Sequence, residues 1–200
     1  MEQKTLFSQI LSRYITDRMG IKTVCISADG YHFENKTLTA KGIRPDKGLP
    51  STMDKEQFYR DMMALKCQST ESVYFPIYDR EIHDPVPNAI EVAPDVQIVI
   101  FEGLYLIHWP RIRGLFDYHV YLEADMETMR TRLEERKLKT GGTLDYARKH
   151  FERVDSKTME IAARGKDRAD IVIQSDATNQ CPHKPVRVTY RQVPRLQSQL

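Results

Sequence analysis

The sequence predicts an α/β fold, a doubly wound parallel sheet with helices on both faces, and three observations carry that prediction. The run Thr23-Val24-Cys25-Ile26-Ser27 reads as a short buried strand that ends in Asp29-Gly30. Gln97-Ile98-Val99-Ile100-Phe101 repeats the arrangement and ends in Glu102-Gly103. Between and after these runs, apolar residues recur at helical spacing, so strand and helix alternate as a parallel sheet with crossover helices requires. Open α/β sheets carry their chemistry at the carboxyl ends of the strands, and two acids at two such ends predict one cleft.

The elements follow in order. Leu6, Ile10, Leu11, Tyr14 and Ile15 mark a first helix, with Gly20 as its stop. The chain opens Met1-Glu2-Gln3-Lys4-Thr5-Leu6, with no strand and no glycine loop ahead of that helix. Residues 34–50 mix lysines, glycines and prolines without apolar periodicity and read as a long loop over the cleft. Ser51 and Asp54 form a capping-box pair ahead of a helix through Phe58, Met62 and Leu65. Val73 to Phe75 reads as a short strand, and Glu81 to Ala93, proline-bearing and without clear pattern, as a connection. Tyr118 to Leu122 makes a further strand, with Asp125 placed to cap a helix from Met126 to about Lys139. Gly141-Gly142 breaks that helix, Thr143 starts another through Tyr146, Phe151 and Met159 to near Gly165, and Asp170 to Ile173 returns to strand. The chain then turns polar, with one more strand at Val186 to Tyr190 and a tail. The expected organisation is a domain over residues 1–176 followed by a strand and tail over 177–200, with no internal repeat.

Composition narrows the partners. Thirty basic and 28 acidic residues are mixed along the chain for a formal charge of +2, so no extended basic face for nucleic acid is expected and small molecules are favoured. Cys25, Cys67 and Cys181 are odd in number and lack metal-ligand spacing, which predicts a reducing, cytoplasmic compartment rather than a disulfide framework. No apolar stretch approaches the roughly 20 residues that cross a bilayer, so no membrane association is expected. Arg13 and Arg18 on the first helix imitate a transit peptide, but Glu2 and Asp17 speak against one.

Several clusters can carry chemistry. Lys4-Thr5 opens the first helix; in a phosphate-binding loop this pair reaches the β/γ-phosphates and a magnesium ion, although Lys-Thr also describes an ordinary solvated helix start. Asp29 stands where a carboxylate can accept a hydroxyl proton, or can simply be half of an Asp-Gly turn. Tyr78-Asp79-Arg80 with His83-Asp84 concentrates recognition groups on one loop, suited to a polyhydroxylated ligand or, alternatively, to solvent. Glu102 follows a run of apolar residues, so its carboxylate needs a partner, either magnesium with its water shell or an arginine. Arg132 and Arg136, four apart on one helix before Gly141-Gly142, can close on phosphate oxygens as a hinged lid or decorate a charged surface. His108 and Trp109 read as loop packing.

Taken together, these segments resemble the phosphoribulokinase/uridine kinase family of P-loop small-molecule kinases, with pantothenate kinase as a further relative. The likeness spans residues 4 to about 175. It rests on Asp29-Gly30-Tyr31-His32, Lys47-Gly48-Leu49-Pro50 with Thr52 and Asp54, Pro76-Ile77-Tyr78-Asp79-Arg80 with His83-Asp84-Pro85, Glu102-Gly103-Leu104-Tyr105-Leu106, Arg132 with Arg136, and Arg168-Ala169-Asp170. The resemblance implies ATP and Mg2+ as cofactors and a small metabolite whose hydroxyl accepts the phosphoryl group. It implies Asp29, Glu102, Arg132 and Arg136 as catalytic, and His32, Tyr78, Asp79, Arg80 and His83 as substrate contacts. Lys4 and Thr5 would bind the cofactor, and Thr5 and Glu102 the metal. Two departures stand out: the family's G-x-x-x-x-G-K-[ST] has only its final pair here, with Gln3 in place of the last glycine, and Asp155 is followed three residues later by Thr158 rather than asparagine. The first departure leaves a rival expectation, a truncated kinase-like protein or binding module without ATP turnover.

Overall fold

The computed structural model describes residues 2–67, 70–124, 126–139, 141–175 and 186–190; the expected cap at Asp125, Cys181 and the tail lie outside them. The chain runs α1 (Glu2–Met19), β1 (Thr23–Ser27), α2 (Asn35–Ala40), α3 (Lys55–Cys67), β2 (Val73–Asp79), β3 (Asp84–Val92), β4 (Ile98–Glu102), α4 (Pro110–Arg113), β5 (Val120–Glu123), α5 (Met126–Lys139), α6 (Leu144–His150), α7 (Ser156–Ala163), β6 (Ile171–Ser175) and β7 (Val186–Tyr190). No described helix is long and apolar enough to cross a membrane.

The parallel pairings predicted from the alternation are present. β1 lies parallel to β4 with Ser27 opposite Glu102, so both strands end at the same level. β5 lies parallel to β6, and β7 returns antiparallel along the other edge of β6. Among the described residues no ladder joins β4 to β5, and the sheet stands in two pieces. A third, separate ladder is the antiparallel hairpin β2–β3, which carries an irregularity between Phe75 and Ile77.

The core lies between the β1–β4 pair, α3 and the hairpin. Ile26, Phe58 and Phe75 are fully buried. The Phe101 ring meets Phe58, Phe75 and Phe116 edge to face, with centroids 5.5, 5.5 and 5.7 Å away, an arrangement that adds to plain apolar burial.

Three sequence expectations need correction, and a fourth needs detail. The long loop over 34–50 contains α2 and a 3-10 turn at Arg44–Asp46, with another at Pro50–Thr52; pieces this short bury only Leu38 and Thr52 and leave no periodic trace. Ser51 does not form a capping box: it sits in a 3-10 turn, and the Asp54 carboxylate alone caps α3 by accepting from the Gln57 amide at 2.9 Å. The patternless stretch after Glu81 is β3, whose prolines at 85 and 87 are tolerated because among the described residues it pairs only with β2. The first helix is present, but Leu6, Ile10 and Tyr14 lie on its exposed side, while Ser8 and Ser12 face inward and Ser12 donates to the Thr23 carbonyl at 3.2 Å. Small serines let α1 approach β1 closely.

The predicted helix after Gly141-Gly142 is observed in three parts. Thr143 caps α6 by accepting from the Tyr146 amide at 3.2 Å. A π-helical turn at Phe151–Asp155 joins α6 to α7 and buries Val154 and Asp155. Asp155 pairs with the His150 ring at 3.0 Å.

Candidate active site

The parallel register sets the site. Beyond β1 the chain enters a 3-10 turn, Ala28–Tyr31, capped by the Ser27 hydroxyl, which accepts from the Asp29 amide at 3.3 Å. Gly30 makes that turn possible, since a Cβ there would stand 2.5 Å from the Pro76 carbonyl oxygen. Asp29 is thereby carried to the mouth of the sheet beside Glu102.

Glu102 is 5% exposed and is held by the first turn of α1. Lys4 donates to one carboxylate oxygen at 2.6 Å and Thr5 to the other at 2.8 Å. Burial alone would push this carboxyl up, but the Lys4 ammonium and hydrogen bonds from Lys4, Ser27 and Thr5 outweigh it and hold the group below the usual carboxylate range. Cys25, on the same strand as Ser27, is pushed up to about 11 by burial and by Glu102.

A cleft of about 210 Å³ opens over these groups, bounded by Thr5, Ser27, Asp29 and Glu102 on the sheet side and by Tyr78 and Arg80 on the hairpin. The predicted meeting of two strand-end acids in one cleft is therefore observed. Sequence reasoning missed Ser27, whose signal was a small hydroxyl residue closing an apolar strand next to an acid. It also missed Gln9, which lines the cleft from α1.

The hairpin tip is built by its own hydrogen bonds. Asp79 accepts from the Glu81 and Ile82 amides at 2.7 and 3.2 Å, so its carboxylate shapes the turn. His83 adopts φ 56°, and its carbonyl accepts from Tyr78 Oη, Lys47 Nζ and Asn35 Nδ2 at 2.9, 2.7 and 2.9 Å. The His83 ring is exposed and is not brought to the cleft. His32 stands behind the cleft wall, its ring 5.6 Å from that of Tyr78 and its Nδ1 2.9 Å from the Asp29 carbonyl. Burial, then Asp84 and Asp29, push the Tyr78 phenol up, while Arg80 pulls it down.

Lys47, which the sequence left without a role, ties this tip to the loop before α3. Its ammonium donates to Asn35 Oδ1 at 2.8 Å, stands 3.5 Å from Asp84 and lies over the Tyr78 ring. Behind it, the Tyr105 hydroxyl lies between the Gly48 carbonyl (2.5 Å) and Thr158 (3.0 Å), anchoring the loop to α7. Arg132 and Arg136 are half-buried on α5, which packs against α6 and the π-helical turn, and neither lines the cleft.

The donor set suits magnesium. Thr5 and Glu102 offer one hydroxyl and one carboxylate oxygen within 2.8 Å of each other, and no cluster of three or more metal-ligating side chains occurs among the described residues. Mg2+ is held in this way, by one or two protein oxygens with substrate phosphates and water completing its shell.

Two adjacent parallel strands each lead to an acid at one cleft, one of the two acids bonds a Lys-Thr pair at the start of a helix, and solved structures of the P-loop kinase class share this α/β fold. The match to known proteins specifies the family: the model of the phosphoribulokinase/uridine kinase family covers residues 7–182, and the chain belongs to that family. Among curated proteins it is 29% identical over 174 residues to the uncharacterized protein YggC of Escherichia coli (strain K12), covering 85% of this chain and 70% of that one. It is 28% identical over 139 residues to a pantothenate kinase of Streptococcus pneumoniae, covering 67% of this chain and 44% of that enzyme. A crystal structure from Silicibacter sp. TM1040, described as a "putative fructose transport system kinase", superposes with a TM-score of 0.73 at 30% identity, covering 80% of this chain and 79% of that one.

Proposed function

We propose that this protein transfers the γ-phosphoryl group of ATP to a hydroxyl of a small metabolite, with magnesium. The observation that carries this reading is the convergence of Thr5, Asp29 and Glu102 on one cleft at the carboxyl ends of β1 and β4. MgATP supplies the phosphoryl group: the acceptor oxygen bonds the γ-phosphorus, the bond to the β–γ bridging oxygen breaks, and ADP leaves. Asp29 takes or orients the acceptor's hydroxyl proton. With MgATP bound, Lys4 and Thr5 would meet the phosphates and the metal and Glu102 would hold the metal's shell; in the structure Lys4 and Thr5 both bond Glu102. Tyr78 and Arg80 grip the acceptor from the hairpin, with His32, Asp79 and His83 shaping that wall. Arg132 and Arg136 act from α5, ahead of the left-handed Gly141 (φ 83°), and close on the transferring group. The free thiols Cys25 and Cys67 fit a reducing, cytoplasmic location.

Calorimetry with Mg-ATP, and a coupled assay of ADP formation over a panel of hydroxy compounds, test the reading. Asp29→Asn should lower turnover by roughly 100-fold or more while ATP affinity hardly changes. A second reading, a binding module without turnover, is favoured by the two-piece sheet; a folded chain that binds no Mg-ATP would support it and sink the first.

A further inference from the structure

Two side chains of opposite charge line the cleft, Asp29 from the sheet and Arg80 from the hairpin tip. Among the described residues neither makes a side-chain hydrogen bond or an ion pair, with each other or with any neighbour. The Tyr78 ring wall stands within electrostatic reach of both.

The lack of a partner for Arg80 has a structural cause. Three carboxylates, Asp79, Glu81 and Asp84, lie within four residues of it; Asp79 and Asp84 are committed elsewhere, and the exposed Glu81 carboxylate makes no ion pair with it among the described residues. Asp79 accepts two amides of its own turn. Asp84 accepts from the Asn35 amide at 2.7 Å and faces Lys47. Lys47 in turn is committed to Asn35 and the His83 carbonyl. The turn thus keeps Asp79 and Asp84 from the guanidinium, and the fork stays open toward the cleft, where a carboxylate or phosphate would be bound by two parallel hydrogen bonds. A neutral polyol would match Asp29 through its hydroxyl and leave Arg80 unmatched. An anion without a hydroxyl would do the reverse.

We infer that the acceptor is an anionic hydroxy compound, a small carboxylate or phosphate ester with a free hydroxyl, whose anion is held by Arg80 while Asp29 meets the hydroxyl. This rests on the phosphoryl-transfer reading above, and names the class of acceptor it takes.

Matched pairs differing only in the anion test it: glycerate against glycerol, and ribose 5-phosphate against ribose. Binding to the whole chain is measured by calorimetry, and ADP formation with the same compounds in parallel. At least one charged member should bind about tenfold or more tighter than its neutral twin, a preference that Arg80→Gln should abolish and Arg80→Lys partly keep. Arg80 is exposed and makes no hydrogen bond, so the thermal midpoint of both variants should match the parent. Tight glycerate alone identifies a carboxylate and tight ribose 5-phosphate alone a phosphate ester, and either supports the inference. Equal binding of charged and neutral members, no binding of either anion, or a preference that survives Arg80→Gln overturns it. Turnover of neutral compounds without charge preference would leave the kinase reading standing and remove this one. Anion binding through Arg80 without any turnover would do the opposite.

Discussion

Lys4 Nζ lies 2.6 Å from Glu102 Oε2, tying the first turn of α1 to the carboxyl end of β4 across 98 residues of chain. Because the Glu102 side chain is 4% exposed, deleting its cation leaves a buried charge unpaired. Lys4→Met should lower stability by about 3 kcal/mol, and Glu102→Gln, which keeps the shape without the charge, by less. Urea denaturation of the two variants beside the parent makes the comparison; a Lys4→Met midpoint equal to the parent's would mean that Thr5 and Ser27 satisfy the carboxylate unaided.

The same carboxylate predicts the acid limb of stability. Its folded value is held below the ordinary 4.5 by Lys4 and its hydrogen bonds, despite burial. The unfolded chain therefore binds a proton first on acidification, and the pair's contribution is fully present above about pH 4.5 and is lost as pH falls through the lower folded value. Thermal melts from pH 7 to pH 3 should show the parent losing stability more steeply than Glu102→Gln over that lower range. Parallel curves would show that other carboxylates govern the limb.

Gly30 has no room for a side chain, since its Cβ would stand 2.5 Å from the Pro76 carbonyl oxygen and 2.8 Å from the carbonyl carbon. Both are backbone atoms that cannot rotate away. Gly30→Ala should cost about 1–3 kcal/mol and, by displacing Asp29, reduce turnover by roughly 100-fold. Chemical denaturation and steady-state kinetics report the two effects separately; a variant with parental turnover would show that Asp29 need not be placed closely.

Lys47→Met should loosen the hairpin tip without unfolding the core. Burial, chiefly, holds the Lys47 ammonium below the ordinary lysine range, while Asp84 draws it back up. Its loss takes one partner each from the His83 carbonyl, Asn35 and Asp84. Amide exchange at residues 80–84 should quicken several-fold while β1 and β4 keep their protection. Unchanged exchange at the tip would assign its rigidity to the Asp79 turn alone.

Arg132 and Arg136 pose a separate question, because they stand on α5 away from the cleft. If α5 closes on the transferring group, Arg136→Ala should lower kcat with little change in the KM of the acceptor. Steady-state kinetics with acceptor and ATP varied separately decide it, and an unchanged kcat would return α5 to an ordinary charged surface.

Local pattern alone determined most of the scaffold. β1 and β4 were legible as short apolar runs ending in an acid and a glycine, although each buries a single residue, Ile26 and Glu102, and Thr143 was legible as a cap because a helix start needs a side-chain acceptor beside its first free amides. Even the shared cleft followed, since strand ends that point the same way bring their acids together. What only tertiary structure decided was every feature in which one segment answers another. β3 reads as a proline-bearing connection until β2 supplies its partner. The inward face of α1 is set by serines that fit against β1, against the helix's own apolar stripe. Lys47 finds its ligands on α2 and the hairpin, and Asp79 and Asp84 are drawn from Arg80 by backbone amides. Helical and strand periodicity report a residue's immediate neighbours along the chain. Ion pairs, open cations and the pairing of distant strands depend on which segments meet in space, and no local period encodes that.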